Sequence, residues 1–466
     1  MISNLANNQK TKSFWQTNGA NLVLLVLILV FVGYSAFLAI NLKPGIIPDE
    51  PAHFVFAKHF STTPGIPPDT DETIAWGWYI EQHPFLYYWV TGRIINLFNL
   101  IAPNLTDHNL LVLLRFVSLL YAIGTVYFCF LLSKAVIQHQ WWQLLPVFIL
   151  TNTLMFVFMA PGVHYDSLAN LLSMAGIYCF INVVQGKNFL FNSLGWMILI
   201  ALGTLVKYTL LPLALIMAIC WIVYLALHRK DLFPIHLNNA KAVVLIIVLS
   251  LLLVGNFALY GVNLIRYQSI KPKCRQILLA SQCEISKFEE RHWKLALDEK
   301  LTVRESIAQG YPTPLRYILV DWGYHTLLRT FGISGHQAYF PFQLISFYQI
   351  LFYGLFFLGV LNLLFQRSVS APVIYLLAIA AFYSLVLFLE NYESELVYGF
   401  KQVALQGRYF FPVIGANFVL LTLVIKNTPF KPVKYLTLVA LIGLLFYGGP
   451  IILIMKYQEI FQTWFY

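Results

Sequence analysis

Long apolar runs alternate with short polar breaks almost from one end of the chain to the other. A membrane-crossing helix needs about 20 mostly apolar residues. On that rule eleven spans are predicted, at residues 21–42, 109–132, 142–160, 166–184, 188–206, 208–227, 241–265, 345–366, 370–389, 410–426 and 435–455. The fifth and sixth are divided only by Lys207-Tyr208. The run from Phe85 to Ala102 is shorter and broken by Arg93 and Asn96. It reads as a helix lying at the interface, with Tyr87, Tyr88 and Trp89 at headgroup level. The first run exceeds a signal peptide's apolar core, and no small-residue cleavage site follows it, so it reads as a retained span.

The expected fold is therefore an all-α integral membrane protein with about 11 transmembrane helices. A single polytopic domain covers residues 1–455, and a short tail covers 456–466. Composition agrees, because only 11% of the 466 residues are charged and 59% are hydrophobic. A soluble domain carries about a quarter charged residues. The formal charge of +10 does not point to nucleic acid, since Lys and Arg form no cluster.

Charge also tests the span count. With a cytoplasmic N-terminus and alternating loops, the cytoplasmic side holds Lys10, Lys12, Lys134, Lys187, Arg229, Lys230, Lys241, Arg367, Lys426, Lys431 and Lys434, with Asp231 as its one acid. The other side is neutral overall. Short basic loops on one face are what the positive-inside rule expects, and a miscounted span would scramble the pattern.

Two outer segments are long. Residues 43–108 contain Pro48-Asp49-Glu50-Pro51-Ala52-His53, a Pro/Gly-rich turn at 64–69, then Trp76, Trp78 and Tyr79. Residues 266–342 are charged, with a solvated helical stretch expected at 284–305. Cys274 and Cys283 share this loop and can pair if it faces an oxidising compartment. Cys129, Cys179 and Cys220 fall in apolar runs and read as packing residues.

On this topology the unusual polar residues gather on the outer face. They are Asp49, Glu50 and His53 after span one, His83, Arg115, then His164 and Asp166 between spans three and four, Lys207, and Arg408-Tyr409 before span ten. Ionisable groups near hydrocarbon are costly, which makes such a cluster a candidate site. Each residue also has a plainer reading. Lys207 and Arg115 could snorkel to lipid phosphates; Arg408 with Tyr409 could anchor at the interface; Asp166 could cap the helix of span four; His53 and His83 could be satisfied loop histidines. No HExxH, paired CxxC, P-loop or GxSxG element occurs, so zinc proteases, NTPases and serine hydrolases lack their usual signals.

Displacement of a lipid phosphate suits carboxylates and fixed cations beside lipid. Phosphate leaves once its charge is neutralised, which Lys and Arg supply. An incoming hydroxyl or amine needs a general base, for which one carboxylate suffices. The three segments Pro48-Asp49-Glu50-Pro51-Ala52-His53, His83-Pro84-Phe85-Leu86-Tyr87-Tyr88 and Gln406-Gly407-Arg408-Tyr409-Phe410-Phe411-Pro412 resemble, in that order, the C-type (GT-C) glycosyltransferases, which use polyprenyl-phosphate sugars. That superfamily includes protein O-mannosyltransferases and aminoarabinose transferases. The resemblance is strongest to a group of uncharacterised bacterial membrane proteins and covers about residues 20–430.

The resemblance implies Asp49 as catalytic base, Glu50 beside it positioning the acceptor or the loop, and Asp166 as the second acidic position. It places His83 near the donor phosphate. Lys207 and Arg408 would hold that phosphate, with His53 and Tyr409 adjoining, although these assignments lean on topology more than on motif. Phe85 departs from the pattern, since many relatives carry a second proline there. Some relatives bind a divalent metal, for which Asp49, His53 and Asp166 are the candidate ligands. The implied partners are a polyprenyl-phosphate sugar donor and a lipid, glycan or protein acceptor at the outer face of the cytoplasmic membrane, with the 266–342 loop as a lid. Two other classes stay open. A flippase for a lipid-linked saccharide would use the same cations, although transporters tend to place charges near mid-membrane. A polysaccharide polymerase or ligase would not require a carboxylate after span one.

Overall fold

Where no water reaches, a backbone must satisfy its own hydrogen bonds, so uninterrupted apolar runs become helices. The computed structural model describes residues 14–228, 240–334, 337–338, 342–365, 369–403, 405–456 and 458–466. Lys10, Lys12, Arg229, Lys230, Asp231 and Arg367 of the charge pattern lie outside the described residues.

The helices that build the frame are α1 (Phe14–Asn41), α2 (Glu50–Ser61), α3 (Asp71–Ala75), α4 (Leu86–Ile101), α5 (Asp107–Val136), α6 (Gln140–Asn152), α7 (Leu154–Met159), α8 (Tyr165–Val184), α9 (Phe189–Val206), α10 (Leu210–His228), α11 (Ala240–Tyr267), α12 (Lys287–Leu295), α13 (Phe342–Phe365), α14 (Ala371–Tyr398), α15 (Phe411–Asn427) and α16 (Lys431–Tyr447). Shorter helical turns fill the two long loops, and one two-residue antiparallel pair joins Ile333–Ser334 to Gln337–Ala338. Among the described residues ten helices are long and apolar enough to cross a membrane. The most enclosed is α8, packed between α5, α9 and α15.

The expected span at 142–160 is a broken helix. Thr153 is extended (φ −72°, ψ 109°) and separates α6 from α7. Side chains near the break bond back to carbonyls one turn earlier, including Ile149 O, whose usual amide partner Thr153 N goes to Leu150 O instead. Thr151 Oγ1 donates to Val147 O (2.9 Å), Asn152 Nδ2 to Phe148 O (2.9 Å) and Thr153 Oγ1 to Ile149 O (2.8 Å). Such back-bonding makes an irregular step tolerable inside a bundle. The pair still runs the full depth. Gln143 of α6 meets the lower end of α5 at Ser133 and Ile137, and the turn after α7 reaches Glu50 through Val163 N.

The run at 85–102 is a helix, α4, but Tyr87 and Tyr88 do not face lipid headgroups. Both are fully buried, because the inner face of α4 packs on α2. Only Trp89 faces outward, donating Nε1–H to Pro64 O (2.9 Å). Gly92 permits the close approach, since a Cβ there would stand 2.8 Å from the Phe60 carbonyl carbon.

The described part of the 266–342 loop rests on the 43–108 loop. Cys274 and Cys283 form a disulfide, and this staple packs against Ile74 and Tyr79. Lys287 sits 3.5 Å over the Trp76 ring. The stretch expected at 284–305 is mostly exposed and holds α12 followed by the start of a short helix, Val303–Ala308. Beyond it come two π-helical turns, Tyr317–Trp322 and Leu328–Gly332.

Candidate active site

The site assembles where helix ends meet. Asp49 closes the turn after α1 in the left-handed region (φ 60°, ψ 2°), a conformation that Asp tolerates better than most residues. Its neighbour Glu50 opens α2 and points the other way. Glu50 is fully buried in a two-pronged pair with Arg115, at Nε–Oε1 2.9 Å and Nη2–Oε2 2.6 Å. Arg115 also donates to the carbonyls of Ala39 (3.1 Å) and Leu42 (2.7 Å), and Glu50 Oε1 accepts from Val163 N (3.3 Å). One ion pair therefore bolts together the end of α1, α5 and the α7–α8 turn. Arg115 does not snorkel to lipid.

Asp49 faces a buried group of cations. Its Oδ2 accepts from Arg408 Nη2 at 2.5 Å. Arg408 Nη1 stands 3.1 Å from His164 Nε2, and Arg408 Nε lies 3.9 Å from Asp166 Oδ2. Lys207 pairs with Asp166 Oδ1 and lies over the rings of Tyr165 (4.9 Å) and Tyr409 (5.1 Å). The His53 ring centre is 4.0 Å from that of His164, and His53 Nδ1 hydrogen-bonds the Tyr88 hydroxyl at 2.6 Å. The Asp49 side chain is 48% exposed, against 7% for Arg408, 8% for Lys207 and 5% for Asp166. One accessible carboxylate thus stands over two buried cations.

Local sequence explains the placement. Lys207 interrupts two apolar helices in extended backbone (φ −155°, ψ 135°), which turns its side chain under the bundle's rim. Arg408 follows Gly407, where a Cβ would run into Thr330 Oγ1 and the Arg329 backbone. The N-cap of α8 is the His164 ring, which faces Asp166 N at 3.0 Å, so Asp166 is not the cap and its carboxylate is free for Lys207.

The electrostatics follow. Burial alone would raise the Asp49 carboxyl, but the Arg408 guanidinium outweighs this and holds it well below the usual carboxylate range. Burial lowers His53 to about 4, despite Asp49 nearby, and pushes His164 well below the ordinary imidazole value. Burial likewise lowers Lys207, with Asp166 opposing.

The structure brings together Asp49, His53, Asp166, Lys207, Arg408 and Tyr409 of the expected residues. His83 is set apart. Its Nδ1 donates to Tyr79 O (2.9 Å), and its ring packs on Trp78 (4.9 Å), which in turn lies 6.4 Å from the His53 ring. Burial lowers His83 to about 4. His164 and Tyr165 stand inside the cluster, although the family resemblance gave neither a role. The sequence signal for them is a polar turn between two apolar runs.

A divalent metal does not fit the three candidate ligands as they stand. Asp49 is engaged by Arg408, Asp166 by Lys207, and His53 by Tyr88. Among the described residues no group of three or more His, Cys, Asp and Glu is arranged for a metal. The cavity touching Asp166, lined also by Thr125, Ser167 and Asn170, measures about 10 Å³. That is room for about one water molecule and not for a lipid chain.

No family model and no curated protein matches the chain. Among solved structures it is similar to ArnT from Cupriavidus metallidurans bound to undecaprenyl phosphate, at 15% identity and a TM-score of 0.47, over 90% of this chain and 62% of that one. It is also similar to the oligosaccharyltransferase AglB from Archaeoglobus fulgidus, in complex with an inhibitory peptide and a dolichol-phosphate, at 14% identity and a TM-score of 0.48, over 94% of this chain and 57% of that one. The chain spans less than two thirds of the length of either protein. Likeness at this level assigns neither an activity nor a substrate.

Proposed function

We propose that this protein is a GT-C-like membrane glycosyltransferase that moves a sugar from a polyprenyl-phosphate carrier to an acceptor on the extracytoplasmic side. The observation that carries the reading is the half-exposed Asp49 carboxylate standing over the buried Arg408 and Lys207. In this reading the donor phosphate takes up Arg408 and Lys207, whose charge stabilises the leaving oxygens. Engagement of Arg408 by phosphate releases Asp49, whose proton affinity then rises. The acceptor's hydroxyl or amine attacks the anomeric carbon and gives its proton to Asp49. The bond from that carbon to the phosphate oxygen breaks, and its electrons stay on the lipid phosphate. Attack opposite the phosphate inverts the anomeric centre, by analogy with inverting glycosidases.

Glu50 and Arg115 act here as positioning residues that fix the turn carrying Asp49. His83 supports the wall behind Trp78 and does not touch phosphate. The docked 266–342 loop excludes water from the donor. The lipid chain lies along helix exteriors, or the helices part to admit it.

Two features support the topology. The Cys274–Cys283 disulfide suits an oxidising compartment. The helix ends far from the site carry Lys134, Lys187, Lys241, Lys426, Lys431 and Lys434, as expected for a cytoplasmic face. The cluster's place at one end of the bundle, not at mid-depth, disfavours a flippase.

The test is incubation of the purified protein in lipid with a panel of radiolabelled polyprenyl-phosphate sugars. Protein-dependent release of sugar to water or to an acceptor is expected with one donor class. No release, with protein-dependent movement of label across the bilayer instead, would overturn the reading in favour of transport.

A further inference from the structure

Lys207 is a buried ammonium with more protons than acceptors. Its side chain is 8% exposed, and an ammonium carries three N–H donors. Among the described residues a single acceptor, Asp166 Oδ1, takes one of them. The rest of its surroundings are aromatic. The ring centres of Tyr165 and Tyr409 stand 4.9 and 5.1 Å from Nζ. Both rings are held from behind. Tyr165 meets the His53 and His164 rings at 4.6 and 4.7 Å, and the Tyr409 carbonyl accepts from the Tyr383 hydroxyl at 2.9 Å.

Burial works against the charge on Lys207, and Asp166 works for it. A second carboxylate in place of the rings would also favour the charge. It would, however, consume the spare N–H groups and repel an incoming phosphate. A ring face does neither, because its quadrupole attracts the cation without needing to accept a proton. We propose that Tyr165 and Tyr409 form an aromatic cradle that keeps Lys207 charged and leaves two of its N–H groups for the donor phosphate. Both tyrosines are positioning residues that act through Lys207. Tyr165 is the ring to alter, since the Tyr409 hydroxyl also adjoins Arg408.

The role toward phosphate rests on the proposed glycosyl transfer, whereas the held charge does not. The full chain in lipid nanodiscs, labelled with ¹³C-lysine, reports the titration of Lys207, with Lys207→Met identifying the resonance. Tyr165 is replaced by phenylalanine and, in a second variant, by trifluorophenylalanine, a ring of nearly the same shape with an electron-poor face. The charged groups around Lys207, namely Asp166, Asp49 and Arg408, are the same in both, as are the neighbouring His53 and His164. The Lys207 midpoint should fall by roughly 0.4–1.5 pH units from the first variant to the second. An equal midpoint in the two folded variants would overturn the cradle whatever the enzyme does.

The second arm measures donor KM in the same two variants and in Tyr165→Leu, each checked for thermal unfolding. KM should rise from the phenylalanine to the trifluoro form and again in the Leu variant, roughly 2- to 30-fold overall. Equal donor KM in the phenylalanine and trifluoro forms would overturn the positioning role, because a ring that only fills space is blind to its own electron density. Wild-type protein inert toward every donor, with the midpoint shifted as expected, would count against the proposed reaction and leave the cradle standing.

Discussion

Arg408 Nη2 lies 2.5 Å from Asp49 Oδ2, joining residues 359 positions apart. The pair makes the half-exposed carboxylate a weak base at rest, because the guanidinium beside it favours the charged form. Donor phosphate competing for Arg408 would lift that restraint only when there is something to react with.

Arg408→Ala removes a charge-assisted, two-pronged donor, and weaker donor capture is expected. Hydrogen bonds to charged groups are worth about 1.5–3 kcal/mol, so donor KM should rise roughly 10- to 100-fold. Arg408→Lys should recover part of this, because it restores charge without the fork. Initial rates against donor concentration check it, and unchanged KM in Arg408→Ala would remove Arg408 from the phosphate site.

Glu50 and Arg115 should matter for folding more than for chemistry. Removing one partner of a buried ion pair leaves an uncompensated charge and costs about 3–5 kcal/mol. Glu50→Gln and Arg115→Leu should each lower the unfolding temperature strongly. Replacing both by apolar residues should recover much of the loss. Thermal melts in detergent decide this, and single variants as stable as wild type would show that the pair is not the bolt inferred from its burial.

The family resemblance gives Asp49 and Glu50 different roles, but the pattern of polar and apolar positions does not separate them, since both mark the same expensive polar turn. Their separation depends on a left-handed residue that sends one carboxylate to the surface and the other inward to Arg115. Lys207 and Arg408 were legible because a cation at the end of an apolar run needs a reason. The inward turn of Tyr87 and Tyr88 was not, because an aromatic run reads the same at a lipid headgroup and against a partner helix. The break at Thr153 was hidden for a related reason. Hydropathy counts apolar residues and does not see side chains taking up backbone carbonyls. His164 meets Arg408 across 244 positions, a relation no local pattern contains.

Acid should destabilise the fold as its buried neutral histidines are forced to take up protons. His53 and His83 sit near 4 in the fold against 6.5 in the free chain, so the unfolded state binds more protons between those values. Stability is then full above about pH 6.5 and falls as pH drops toward 4, by roughly 3 kcal/mol for each histidine. His83→Phe should flatten part of this dependence, as read from unfolding temperature against pH. An unchanged slope would show that His83 is not buried as a neutral ring.

Gly407→Ala should impair activity through geometry alone. A Cβ there would stand 2.6 Å from the Arg329 carbonyl carbon, so the segment carrying Arg329 or the Arg408 turn must shift. Overpacking costs about 1–3 kcal/mol, and the displaced Arg408 should raise donor KM. Wild-type kinetics in this variant would mean the contact is not needed.

The most direct measurement is transfer by wild type and Asp49→Asn at matched donor occupancy, with binding measured separately on the same preparations. Asn keeps the shape and loses the base, so folding and donor binding should be retained while turnover falls by about 10²-fold or more. Transfer at the wild-type rate in a folded, donor-loaded Asp49→Asn protein would show that Asp49 is not the base.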